Sequence, residues 1–122
     1  MSELALIIED DEDLASIFAE ALRGIGYEVD LVADGRVAQE RLKTGPAPFL
    51  ILLDMHLPHV SGAELLTNLI KQDERFAKTM VIITTADARM GDTYGDQVDF
   101  VLIKPISFVQ LRDLTARLKP TE

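Results

Sequence analysis

Short apolar runs alternate along this sequence with segments of helical period. Four runs of four or five residues are entirely apolar, as strands are when helices cover both faces of their sheet; these runs are residues 4–8, 49–53, 80–83 and 100–103. A fifth run, residues 28–32, carries Glu28 and Asp30 among apolar side chains, which is typical of an edge strand. The alternation predicts repeated βα units around one parallel sheet.

Apolar residues recur at spacings of three and four in three segments, which predicts amphipathic helices within residues 14–25, 65–70 and 108–118. A shorter helix is predicted over residues 34–43, with Asp34 as its N-cap. Residues 87–98 show no apolar stripe and contain two glycines, each of which destabilises a helix by about 1 kcal/mol relative to Ala. We expect a short or partly unwound helix there.

Five strands that alternate with helices predict a doubly wound α/β fold. It is a flavodoxin-like (βα)5 three-layer sandwich, with five parallel strands in the order 2-1-3-4-5. The chain has 122 residues, too few for a second domain, so residues 1–122 are expected to form one domain. In such a sheet the ligand site lies beyond the carboxyl ends of the strands. The residues that follow each strand are therefore the candidates for function.

Five consecutive acids, residues 9–13, follow the first predicted strand. Acids at this point stabilise the start of the next helix through its dipole, which accounts for Glu12 and Asp13. The helix does not account for Glu9 and Asp10, because these lie directly on the end of a buried strand and repel one another there. A hard cation with oxygen ligands relieves such repulsion, so Glu9 and Asp10 are candidate metal ligands.

Single polar residues follow the other central strands. Asp54 follows the third, too far before the next helix, expected to begin near Ser61, to be its N-cap. Thr85 follows the fourth strand, and Lys104 follows the fifth, just before Pro105. Carboxylates suit Mg²⁺, while an ammonium and a hydroxyl complete a pocket for a phosphoryl group whose charge must be neutralised. Asp54 is then the nucleophile that forms an acyl phosphate.

In their order and spacing, these residues resemble the receiver domain of two-component response regulators, over essentially the whole chain. The matching segments are residues 6–11, residues 53–58 with Gly62, residues 85–86 and residues 104–105. The resemblance implies that Asp54 is the phosphoacceptor. It also implies that Glu9 and Asp10 are the acidic pair of a Mg²⁺ site, with Asp10 the more direct ligand, and that the backbone carbonyl of His56 is a further ligand beside Asp54.

The same resemblance implies that Thr85 and Lys104 bind the phosphoryl oxygens and that the bond between Lys104 and Pro105 is cis. The phosphoryl donor is then a histidine kinase or a histidine phosphotransfer protein, and the output is an interaction with a downstream protein target. By this resemblance the chain is a signalling domain and not an enzyme.

Two features depart from the usual receiver pattern. Receivers carry Tyr or Phe three residues before the lysine, as a side chain that changes rotamer on phosphorylation; here that position is Val101, with Phe100 beside it. The stretch from Thr85 to Lys104 is also a few residues shorter than usual. Both departures lie on the face through which receivers signal, and not at the acceptor site.

The composition restricts the remaining functions. The formal net charge of −9, from 21 acids and 12 bases, opposes direct binding to nucleic acid or to an anionic membrane. The chain has no cysteine, which excludes disulfides, thiolate metal sites and cysteine nucleophiles. Its apolar runs are far shorter than the roughly 20 residues that span a bilayer. We expect a cytoplasmic protein that is a monomer or a weak dimer.

Other functions remain open on the residues alone. A phosphorylation-independent interaction module would keep the same fold. A Mg²⁺-dependent phosphohydrolase would use the same acids, but such enzymes carry a second Asp two residues after the nucleophile, where this chain has His56. Flavin or nicotinamide cofactors are disfavoured because five acids, and no glycine-rich loop, follow the first strand. A transition-metal site at His56 and His59 is disfavoured by the intervening Pro58.

Overall fold

The computed structural model describes residues 3–120, which contain one parallel sheet. Its strands are β1 (Leu4–Ile8), β2 (Glu28–Val32), β3 (Leu50–Asp54), β4 (Met80–Thr85) and β5 (Phe100–Ile103). They lie in the order β2-β1-β3-β4-β5, which confirms the predicted topology, and β2 is an edge strand as its acids indicate. The predicted domain of residues 1–122 extends at both ends beyond the described residues.

Helices follow each strand. They are α1 (Glu12–Gly24), α2 (Gly35–Thr44), α3 (Gly62–Leu65, continued by a π-helical turn at Leu66–Ile70), α4 (Arg89–Tyr94) and α5 (Phe108–Leu118), with 3₁₀ turns at Glu74–Phe76 and Gly95–Gln97. The six-residue α4 and the 3₁₀ turn after it confirm the expectation of a short helix within residues 87–98. Every helix among residues 3–120 is too short or too polar to cross a lipid bilayer.

The apolar side chains of β1 and β3 alternate between two cores, one on each face of the sheet. Leu6 and Ile8 pack with α2 and α3 on one face. Ala5 and Ile7 pack with α1 and α5 on the other face. Both faces of these central strands are therefore buried, which explains why their sequences are continuously apolar.

The strands β3 and β4 end later than the apolar pattern predicts. Asp54 pairs with Thr84, and Thr85 pairs with Ile103, so all three polar residues belong to strands and do not follow them. Main-chain pairing continues wherever a neighbouring strand offers hydrogen-bonding partners, whatever the polarity of the side chains. Asp54 and Thr85 are consequently held by the sheet itself.

Short polar side chains cap the N-termini of the first three helices. The N-cap of α2 is Asp34, as predicted. The helix α3 begins beside Ser61, where its start was expected, and Ser61 is its N-cap. The N-cap of α1 is Asp11, whose Oδ1 accepts hydrogen bonds from the N–H groups of Asp13 and Leu14. Glu12 and Asp13 occupy the first turn, where their charges interact favourably with the helix dipole.

Candidate functional site

The register of the sheet brings three predicted ligands together. Ile8 of β1 pairs with Leu53 of β3, so the residue after each of them lies at the same level of the sheet. Carboxylate oxygens of Glu9, Asp10 and Asp54 all lie within 4.8 Å of one another. Glu9 and Asp54 are each 2% exposed, whereas Asp10 is open to solvent. The site is a buried carboxylate pair with a third acid at its mouth.

Lys104 brings a cation to this pair. Its Nζ lies 3.0 Å from Glu9 Oε1 and 3.5 Å from Asp54 Oδ2. Its backbone N–H donates a 2.7 Å hydrogen bond to the carbonyl of Thr85, which ties the end of β5 to the end of β4. The peptide bond between Lys104 and Pro105 is cis, in agreement with the expectation from the family.

One lysine leaves the three acids incompletely satisfied. When all three carboxylates are ionised, their charges and that of the one ammonium sum to −2 at the site. Although Lys104 Nζ approaches Glu9 Oε1, the contact lacks hydrogen-bond geometry, and this buried oxygen has no hydrogen-bond partner among residues 3–120. A buried carboxylate oxygen without such a partner is unfavourable. The donor set therefore fits an added hard cation, for which carboxylate oxygens are the preferred ligands.

Burial dominates the electrostatics of the pair. Desolvation and the neighbouring Asp54 raise the pKa of Glu9, Lys104 opposes the shift, and the resulting pKa is about 7. Desolvation also raises the pKa of Asp54, against the stabilising N–H of His56. Burial alone would lower the pKa of Lys104, but the two carboxylates outweigh it and the pKa is raised. Lys104 therefore stays charged between two carboxylates that hold protons more readily than usual.

The loop after β3 folds back over the carboxylate of Asp54. The N–H of His56 donates a 3.0 Å hydrogen bond to Asp54 Oδ1, which fixes the orientation of that carboxylate. The backbone of His56 thus lies beside the acid cluster. The role of its carbonyl as a metal ligand stays a prediction.

A glycine makes this turn possible. A Cβ added to Gly62, the first residue of α3, would lie 2.2 Å from the carbonyl oxygen of Asp54 and 2.6 Å from Cα of Met55. Both neighbours are backbone atoms of a central strand and its turn, so they cannot move aside cheaply. Gly62 is one of the residues that resemble the receiver pattern, but the reason why it must be small appears only in the structure.

We expect Gly62→Ala to lower the free energy of unfolding by about 1–3 kcal/mol, because the new methyl group forces the turn after Asp54 away from α3. Gly24→Ala is the matched control, since a Cβ there meets nothing within 4 Å. Alanine also favours the helical conformation of α1, so the control should be neutral or stabilising. Urea unfolding followed by circular dichroism measures both changes. Equal midpoints for Gly62→Ala and the wild type would contradict the prediction.

Thr85 is completely buried, and its hydroxyl is already engaged. Thr85 Oγ1 accepts a 3.0 Å hydrogen bond from the N–H of Asp87 and lies 3.3 Å from Nε2 of His56. It also lies 3.4 Å from the carbonyl oxygen of Asp87. The contact with His56 was not foreseen from the sequence, because it depends on how the loop after β3 folds over the end of β4, which the predicted strand order does not fix.

The two histidines of the loop have different partners. His59 Nδ1 lies 2.7 Å from Asp34 Oδ2, at the N-terminus of α2, whereas the ring of His56 contacts Thr85. His59 also has a positive φ of 70°. This arrangement disfavours the transition-metal site shared by the two rings that the sequence left open.

Val101 occupies the position where receivers usually have an aromatic residue. Its side chain is half-buried and packs against the core beneath α4. A Cβ added to Gly91 of α4 would lie 3.3 Å from Val101 Cγ1, so the helix approaches Val101 closely. Phe100 beside it is 36% exposed. Val101 has no hydrogen-bonding group with which to contact the hydroxyl of Thr85.

Comparisons with known proteins establish the family. Residues 5–116 match the response regulator receiver domain. The chain is 31% identical over 126 residues to the probable methanogenesis regulatory protein FilR2 of Methanothrix harundinacea, covering 95% of this chain and 81% of that protein. It is 37% identical over 92 residues to the polar-differentiation response regulator DivK of Brucella ovis, covering 75% of this chain and 73% of that protein.

Solved structures agree with this assignment. The chemotaxis response regulator CheY4 of Vibrio cholerae has the same fold, with a TM-score of 0.86 at 20% identity over 98% of this chain and 100% of that one. The receiver domain of the sensor histidine kinase PA1611 of Pseudomonas aeruginosa, which has a magnesium ion coordinated in its active-site cleft, gives a TM-score of 0.82 at 27% identity. That match covers 97% of this chain and 98% of the PA1611 chain. The protein therefore belongs to the receiver domain family of two-component response regulators and has a CheY-like fold.

Proposed function

We propose that Asp54 accepts a phosphoryl group from the phosphohistidine of a histidine kinase or phosphotransfer protein, in a reaction that depends on Mg²⁺. The phosphorylated domain then signals by binding a downstream protein. The observation that carries this proposal is the position of Asp54, buried between two further acids and Lys104 at the carboxyl edge of the sheet.

In the proposed transfer, an oxygen of the Asp54 carboxylate attacks phosphorus in line. The new O–P bond forms as the P–N bond of the phosphohistidine breaks, and the electron pair of that bond returns to the imidazole nitrogen. The hydrogen bond from the N–H of His56 holds one carboxylate oxygen, Oδ1, and orients the other for attack. Positioning of this kind is a large part of phosphoryl-transfer catalysis.

The charges at the site support the transfer. Glu9, Asp10, Asp54 and the carbonyl of His56 would hold Mg²⁺, which when bound neutralises charge on the phosphoryl oxygens. Lys104 lies close enough to Asp54 to contact an oxygen of a phosphoryl group placed on it. The hydroxyl of Thr85 is a further donor at the same edge, where the carbonyl of Thr85 accepts the backbone N–H of Lys104.

Intact-mass analysis after incubation with acetyl phosphate tests the proposal. We expect a gain of one phosphoryl group in the presence of Mg²⁺ and no gain when a chelator is added. A gain that persists with chelator would contradict the metal requirement. No gain under any condition would contradict the acceptor role and favour a phosphorylation-independent interaction module.

Mg²⁺ affinity should rise with pH. The raised pKa of Glu9, about 7, means that a proton occupies this carboxylate at lower pH and must leave before the oxygen can bind a cation. The raised pKa of Asp54 acts in the same direction. We expect the dissociation constant for Mg²⁺ to fall roughly tenfold between about pH 6 and pH 8, as one proton is released.

Isothermal titration calorimetry at the two pH values measures this change directly. Glu9→Gln is the control, because an amide does not titrate, and its Mg²⁺ affinity should depend much less on pH. A wild-type dissociation constant that is the same at both pH values would contradict the predicted competition between proton and metal.

A further inference from the structure

The hydroxyl of Thr85 contacts the loop that follows β3. Its partners are the main chain of Asp87 and the ring of His56, with Nε2 at 3.3 Å. Thr85 is fully buried, so its hydroxyl has no access to bulk water as an alternative partner. On the β5 side, Val101 is apolar and offers this hydroxyl no hydrogen-bonding group. The only side chain among residues 3–120 that hydrogen-bonds to this hydroxyl is therefore that of His56.

A hydroxyl group has a single hydrogen to donate. With the proton of the neutral ring on Nδ1, Nε2 of His56 accepts this hydrogen, and the carbonyl oxygen of Asp87, slightly farther away, is a second acceptor. The proposed function requires the same hydrogen to point at an oxygen of the phosphoryl group on Asp54. A hydrogen bond from Thr85 to His56 and one from Thr85 to the phosphoryl group are then mutually exclusive.

Resting on that function, we propose that His56 is a positioning residue. Its imidazole holds the hydroxyl of Thr85 while Asp54 is unphosphorylated. This hydrogen bond breaks when the hydroxyl turns to the phosphoryl group on Asp54. The ring is well placed for this role, because the N–H of the same residue donates to Asp54 Oδ1. His56 is thus fixed to the acceptor through its backbone and to Thr85 through its side chain.

The backbone of Thr85 stays fixed while its hydroxyl changes partners. Its carbonyl accepts the N–H of Lys104, and its neighbour Thr84 accepts the N–H of Met55. These bonds fix the strand end, so the hydroxyl moves by rotation of the side chain. His56 therefore affects the balance between two rotamers of Thr85. Loss of the imidazole favours the rotamer in which the hydroxyl points to the phosphoryl group.

Binding of beryllofluoride in the presence of Mg²⁺ tests this proposal as an equilibrium, since this anion mimics a phosphoryl group on a carboxylate. We expect His56→Ala to bind beryllofluoride roughly threefold to tenfold more tightly than the wild type, the effect of removing one competing hydrogen bond. His56→Gln, whose amide can replace the ring as a partner of the hydroxyl, should return toward the wild-type affinity. Fluorine NMR titration measures these constants.

A double-mutant cycle shows whether His56 acts through Thr85. In the background of Thr85→Val, which keeps the shape but lacks the hydroxyl, His56→Ala should leave the affinity for beryllofluoride unchanged. A persistent effect in that background would mean that the ring acts directly on the anion, and would overturn the proposal.

His59→Asn is the matched control, since it changes the other ring of the same loop and Asn accepts a positive φ. Its affinity should equal that of the wild type, because His59 contacts Asp34 and not Thr85. An equally large gain in this variant would assign the effect to the loop in general and contradict the role of His56.

A second measurement needs no substitution at the buried threonine. In the wild type, beryllofluoride should shift the ring nitrogen resonances of His56 and leave those of His59 in place. Failure of the wild type to bind beryllofluoride would contradict the proposed function. It would also contradict the role of His56, which rests on that function. Normal binding with unchanged affinity in His56→Ala, or an unchanged His56 resonance, would contradict this inference alone.

Discussion

Asp54→Asn is expected to lose all phosphoryl incorporation from acetyl phosphate while keeping the fold. An amide has nearly the same shape as a carboxylate, and its oxygen can still accept the hydrogen bond from the N–H of His56. It is, however, a far weaker nucleophile and a poorer ligand for a hard cation. We therefore expect phosphorylation to be lost completely and the structure to change little.

The stability of Asp54→Asn gives a second, independent result. Because burial raises the pKa of Asp54 in the folded protein, its ionised form lowers stability at any pH above its ordinary pKa. The neutral amide removes that cost, so without Mg²⁺ the variant should melt at or above the temperature of the wild type. With Mg²⁺ the wild type should gain more stability than the variant, which has lost one of the proposed metal ligands.

Thermal unfolding with and without Mg²⁺, combined with intact mass, separates the outcomes. A variant that still gains a phosphoryl group would contradict the assignment of Asp54 as acceptor. A variant that fails to fold would show that the carboxylate is needed for structure, against the raised pKa described above.

Lys104→Ala is expected to slow phosphorylation of Asp54 by about 10²–10³-fold. Removing a single donor that stabilises charge in a transition state has an effect of this size. In the unphosphorylated protein the loss leaves Glu9 and Asp54 without their ammonium partner, so their pKa values should rise further. Mass spectra taken at matched times after addition of acetyl phosphate give the ratio of rates.

Mg²⁺ affinity distinguishes the role of Lys104 from damage to the metal site. Lys104→Ala removes a positive charge next to the acids, so at a pH above about 8 the variant should bind Mg²⁺ at least as tightly as the wild type. Slow phosphorylation together with normal Mg²⁺ affinity would support a direct contact with the phosphoryl group. An unchanged rate of phosphorylation would contradict it.

The sequence predicts the sheet and the edge on which the candidate site lies, because both depend on patterns within single segments. Strands buried on both faces must be apolar throughout, and in a parallel sheet their carboxyl ends converge. Asp54, Thr85 and Lys104 could therefore be assigned to one edge without a structure. The N-cap Asp34 and the start of α3 near Ser61 were also predictable, since capping depends on a short side chain just before a helix.

Features that depend on distances between segments could not be predicted. Gly62 must be a glycine because the carbonyl of Asp54 passes within 2.2 Å of the place of its Cβ, which no local pattern shows. Asp11 caps α1 because of its backbone angles, and five successive acids give no preference among themselves. The contact of His56 with Thr85 spans 29 residues and depends on the conformation of the loop after β3, which the predicted strand order does not fix.

The central claim is that Asp54 carries the phosphoryl group, and reduction of the acyl phosphate tests it most directly. Borohydride reduces a phosphorylated aspartate to homoserine, which marks the acceptor permanently for peptide mass mapping. After incubation with acetyl phosphate and Mg²⁺, we expect homoserine at residue 54 and unmodified aspartate at residue 10. Homoserine at residue 10 or at another acid, or none at all in protein that has gained the phosphoryl mass, would contradict the claim.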